Sequence, residues 1–139
     1  MICSCGRHGG EMTIRFGIDL GLNTLKGVMT LKEEMLVVEW RRYDLMEAPV
    51  GPLESLAIPL TDLLTVSVKR KARRPIIEIV ARSASTFSPM PLPAGDLTTL
   101  RARVERADKA HAETWGAEAY LRIAEAIPGG EFPASDPER

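Results

Sequence analysis

Residues 99–127 read TLRARVERADKAHAETWGAEAYLRIAEAI, and a change of period inside this stretch decides the fold. Leu100, Ala102 and Val104 alternate with Thr99, Arg101, Arg103 and Glu105, the two-residue repeat of a strand with one apolar face. From Asp108, placed to act as an N-cap, the repeat lengthens. Ala112, Trp115, Ala119, Ile123 and Ala126 or Ile127 fall at the three-and-four spacing of an amphipathic helix. Glu118, Arg122 and Glu125 occupy the opposite face, and Pro128-Gly129-Gly130 ends the helix.

Working back from that point, the chain keeps the period of strands. Ile77, Ile79 and Ala81 alternate with Ile76, Glu78, Val80 and Arg82, and Leu64, Val66 and Val68 with Thr65, Ser67 and Lys69. Leu56 and Ile58 alternate with Ser55 and Ala57 until Pro59 stops the run. Leu25, Gly27, Met29 and Leu31, a turn at Glu33-Glu34, and then Leu36, Val38 and Trp40 form a hairpin. The prolines and glycine of 44–52 read as a loop, and those of 88–95 as a connector, because proline removes ladder donors. The fold expected is α+β: a strongly bent antiparallel sheet or partly open barrel of about six to seven strands, capped by one C-terminal helix. One domain is expected over 13–127, with 1–12 a disordered tail and 128–139 a flexible one. Met12 is a candidate initiator, since the patterned sequence starts directly after it.

Composition narrows the function classes. The 139 residues suffice for one core, and 45% hydrophobic with 27% charged residues is ordinary for a globular chain. Eighteen Lys and Arg against 19 Asp and Glu leave a formal net charge of −1, so no global attraction draws nucleic acid or an anionic membrane. Any peripheral membrane contact would have to be local. The two cysteines, Cys3 and Cys5, build no disulfide framework, and no apolar run reaches the length of a membrane span, so a cytoplasmic location is expected.

The order of elements resembles the pleckstrin-homology (PH) superfold, and more closely a bacterial group of small PH-like proteins. Leu25-Lys26-Gly27, Leu36-Val37-Val38-Glu39-Trp40, Ile58-Pro59-Leu60-Thr61-Asp62-Leu63 leading to Val66-Ser67-Val68, Ala81-Arg82-Ser83 and Val104-Glu105-Arg106-Ala107-Asp108-Lys109 carry the resemblance. It implies a binding or assembly module in place of an enzyme, although fold alone does not fix function. Phosphoinositide-binding members of that superfold use a basic motif in the first hairpin loop. Taken as Lys32-Glu33-Glu34, that loop presents two carboxylates that would repel a polyphosphate.

Four other features bear on chemistry. The stretch from Phe16 to Lys26 is similar to the first phosphate loop of actin-like ATPases, with Asp19 and Gly21 at the matching positions and Leu22 where a hydroxyl residue is expected; its bland reading is a strand entry with a turn at Gly21. Cys3, Cys5 and His8 supply three candidate metal ligands, one short of a structural zinc site. His111, the second of two histidines, falls on the first turn of the helix, so no catalytic triad assembles and no cofactor is implied. Lys69, Arg70, Lys71, Arg73 and Arg74 crowd one turn, a candidate anion site whose bland reading is a solvated turn that guards a sheet edge. Trp40 and Trp115 lie on apolar faces and are expected in the core.

The leading expectation is a non-enzymatic PH-like module that binds a protein partner or itself through an exposed sheet edge or loop face. The alternative is a peripheral binder of lipid headgroups or nucleic acid through 69–74. A fragment of an actin-like ATPase is third.

Overall fold

A computed structural model describes residues 11–71, 74–92 and 97–126. Seven strands form one antiparallel sheet: β1 (Met12–Asp19), β2 (Thr24–Leu31), β3 (Met35–Tyr43), β4 (Pro49–Pro59), β5 (Leu63–Lys71), β6 (Arg74–Ala81) and β7 (Thr99–Val104). A 3-10 turn at Leu60–Asp62 joins β4 to β5. A second, Arg106–His111, leads into the helix α1, Ala112–Ala126.

The strand order is β4-β3-β2-β1-β7-β6-β5. Two meanders, β1–β4 and β5–β7, therefore meet along one seam, where Phe16 pairs with Val104 and Gly17 with Arg103. The outermost strands, β4 and β5, do not pair with each other, so the sheet is bent without closing into a barrel.

Alternation puts the larger apolar side chains on one side of this sheet. Phe16, Leu25, Met29, Leu36, Val38, Ile77, Ile79 and Leu100 are fully enclosed there. Gly27 permits the bend: a Cβ on it would overlap the carbonyl oxygen of Glu39 in the neighbouring strand.

Helix α1 covers this side, with Ala112, Trp115, Ala119 and Ile123 buried. It tethers opposite parts of the sheet. Gly116 packs so closely on β5 that a Cβ would stand 2.5 Å from Val68 Cγ2. Trp115 Nε1 donates to the Met12 carbonyl at 3.0 Å, and Arg122 Nη1 donates to the Leu31 carbonyl at 3.5 Å. The apolar stripe and both tryptophans are where the helical and strand periods placed them.

Five local expectations are corrected. Strand β1 precedes the first strand expected at Leu25, which makes Leu20–Asn23 the loop of the first hairpin and Lys32–Glu34 the turn of the second. That first loop carries no cation. The supposed loop 44–52 is a turn followed by the start of β4, which tolerates its prolines because it lies at an edge. A register shift between Leu63 and Thr65 buries Leu63, and Leu64 is only half-buried. Asp108 does not cap a helix; it sits within the 3-10 turn and bonds Arg15. Arg122 is 6% exposed, its Nε bonded to Glu118 Oε2 at 2.8 Å, and not on a solvated face.

Candidate functional site

Strand β4 is one of the two outer strands of the sheet and has outward-facing backbone groups. Lys32 N donates to the Met35 carbonyl across the β2–β3 turn, so the backbone groups of Met35 point toward β2. By alternation, Leu36, Val38 and Trp40 point theirs toward β4, where they pair with Ile58, Leu56 and Glu54. The backbone groups of Leu53, Ser55, Ala57 and Pro59 therefore face outward, and Pro59 has no N–H to offer. Three donors remain along the edge, at Leu53, Ser55 and Ala57.

The first half of β4 extends past the core. Residues 49–55 are exposed, a ribbon paired with β3, with Leu53 at 64% and Val50 at 42% exposure. Leu45 and Met46 stand out at its tip. The ribbon is nonetheless well fixed. Asp44 Oδ1 accepts the N–H groups of Met46 and Ala48 at 2.9 and 3.0 Å, Arg41 Nε donates to the Gly51 carbonyl at 3.0 Å, and Lys26 reaches Glu47 at 3.1 Å. Gly51 takes a left-handed φ of 95°, beside the register shift between Trp40 and Arg42 that curls the ribbon.

Two grooves flank β4. One, of about 390 Å³, runs between its second half and the turns at 82–89, lined by Ala57, Ile58, Pro59, Ser83, Ser85 and Thr86. The other, of about 440 Å³, crosses the outer side of β1–β4, where Arg15, Lys26 and Arg41 mix with Glu39, Glu105, Tyr43 and Leu53. The second is electrostatically mixed and so selects neither sign of ligand. The first leaves the second half of the β4 edge uncovered.

The basic turn is partly neutralised. Lys69 Nζ lies 3.7 Å from Glu78 Oε1, and Arg70 Nε donates to Glu113 Oε2 at 2.6 Å. That bond and the charge behind it hold the Glu113 carboxyl below its ordinary pKa and raise Arg70. Arg74 opens β6 and is half-buried; Lys71 ends β5, and Arg73 lies outside the described residues. Of the five candidate anion-binding residues, two are thus turned toward carboxylates of the same chain.

Asp19 and Gly21 build a tight hairpin turn. Gly21 N donates to Asp19 Oδ1 at 2.9 Å, Leu20 N to the Asn23 carbonyl at 2.8 Å, and Gly21 adopts φ 97°. The Asp19 carboxylate is engaged in the turn itself. Cys3, Cys5 and His8 lie outside the described residues, and His111 is exposed at the end of the 3-10 turn. Among the described residues no three His, Cys, Asp or Glu side chains gather as a metal site, and no helix is long and apolar enough to cross a membrane.

The β4 edge was hidden in the sequence by its own proline and glycine, which mimic a loop. The usable signal was the spacing of Pro49, Pro52 and Pro59 around an apolar run carrying one charge, Glu54. Scanned against models of protein families the chain matches none, and a search of curated proteins returns no match.

Proposed function

We propose that the chain is a non-enzymatic, PH-like binding or assembly module that associates with protein, further copies of itself included, through the β4 edge and the β3–β4 ribbon. The observation that carries this reading is an edge with three outward N–H groups, apolar Leu53 and Val50 exposed beside them, and, among the described residues, no covering element over 49–55. Support for the PH-like assignment is the succession of seven antiparallel strands and a terminal helix that straps β5 to the first hairpin. With only two cysteines, both within the first five residues, the fold requires no oxidising compartment, and we place it in the cytoplasm.

Anion binding through 69–74 ranks below this, because Lys69 and Arg70 already face Glu78 and Glu113. A photo-reactive amino acid at position 53, with position 109 as control, tests the leading reading in cells. Protein adducts at 53 and none at 109 are expected. A bare position 53 would remove the reading.

A further inference from the structure

The two edges of this sheet are treated differently. Strand β5 carries Lys69, Arg70 and Lys71 and lies against α1, two of the usual guards against edge-to-edge pairing. Strand β4 has one charge, Glu54, in eleven residues, and its prolines stand at the ends of the run 53–58, leaving the middle free to pair. Pro59 and the bent Pro49–Pro52 segment limit the length of a partner strand without blocking it.

Resting on the association reading above, we infer that the occupant of this edge is a second copy of the chain, its β4 antiparallel to the first with the two-fold axis at Ser55. Self-complementarity selects this register. Centred on Ser55, Leu53 meets Ala57 of the other copy, Ser55 meets Ser55, and each of the three outward N–H groups finds an outward carbonyl. Large faces small, and Glu54 lies opposite Leu56. Shifted one residue back, the pairing sets Glu54 against Glu54. Shifted one residue forward, it sets Leu53 against Pro59, which has no N–H to return. An isologous pair of this kind closes on itself, joining two seven-stranded sheets into one and covering the apolar Leu53. Along this part of the edge Ala57 and Pro59 are exposed, beside the groove that separates them from the turns at 82–89.

The test uses the full chain with Cys3→Ser and Cys5→Ser as background. Opposed Ser55 residues would bring their Cα atoms to about 5.5 Å, within disulfide range, so Ser55→Cys is expected to oxidise to a linked dimer and Glu54→Cys is not. Ser55→Pro removes only an outward N–H, so it is expected to keep the monomer's thermal unfolding at low concentration while weakening dimerisation by at least about tenfold in light scattering. A wild-type chain that stays monomeric at roughly millimolar concentration overturns the inference; adducts to another protein at position 53 would then leave the binding-module reading standing. A dimer that ignores Ser55→Pro, or that links through Glu54→Cys in preference to Ser55→Cys, also overturns it.

Discussion

Trp115 donates its indole N–H to the carbonyl oxygen of Met12 at 3.0 Å, so the helix is latched to the first residue of the first strand. The ring is 1% exposed and is the bulkiest of the fully enclosed side chains. Trp115→Ala is expected to cost about 3 to 5 kcal/mol. Trp115→Phe keeps most of the ring, loses the bond, and should cost less, on the order of 2 kcal/mol. Denaturant titrations of the two variants check the order.

The Glu118–Arg122 pair should respond unequally to losing either member. Glu118→Ala strands a guanidinium that is 6% exposed, whereas Arg122→Met leaves a carboxylate whose side chain is 31% exposed and can still reach water. The first is expected to cost about 3 kcal/mol and the second about 1 kcal/mol or less. Equal costs in chemical unfolding would show that the pair is not buried as described.

Two glycines make opposite kinds of close approach. At Gly27 the obstacle is backbone, the Glu39 carbonyl, which cannot step aside, so Gly27→Ala should cost more than about 3 kcal/mol. At Gly116 the obstacle is the Val68 methyl, so Gly116→Ala should cost about 1 to 2 kcal/mol net of its helical gain. Combining it with Val68→Ala should cost less than the two changes summed, a coupling that a double-mutant cycle measures.

The Arg15–Asp108 contact gives stability a dependence on acid. Hydrogen bonding from the Arg15 side chain first, then from its backbone N–H, holds the Asp108 carboxyl below its ordinary value of 3.8, against the opposing effect of partial burial. A depressed carboxylate contributes fully above its unfolded pKa and loses that contribution as pH falls through the lower folded value. The bond to Asp108 raises the Arg15 guanidinium above its ordinary value, so its share is lost only in strong alkali. Stability should therefore decline below about pH 4 more steeply in the wild type than in Asp108→Asn, read from unfolding midpoints between about pH 6 and 2. Parallel curves would contradict the role given to this contact.

How much of this was legible in the sequence depended on how far each side chain reaches. The alternation of Leu100, Ala102 and Val104 and the stripe Trp115, Ala119, Ile123 are local patterns, and both appear as read. Of strand β1 only the entry before the Gly21 turn was legible, because Phe16, Gly17 and Ile18 are buried in succession, which breaks the two-residue period, and because its flanking glycine and aspartate resemble a loop. Asp108 has the chemistry of a cap, yet Arg15, far away in sequence, offers it a better partner. Arg122 belongs to the polar face by spacing, but its long stem carries the guanidinium to the Leu31 carbonyl. At the β4 edge, proline signals a loop when read alone and an outer strand once its neighbours are known.

The seam between Phe16 and Val104 has a consequence for synthesis. As the chain leaves the ribosome, β1 pairs early with β2 but waits for nearly the whole domain before β7 arrives to take its other side. During that wait a hydrophobic strand destined for the centre of the sheet has one flank bare, and the nascent protein is most open to misassembly then.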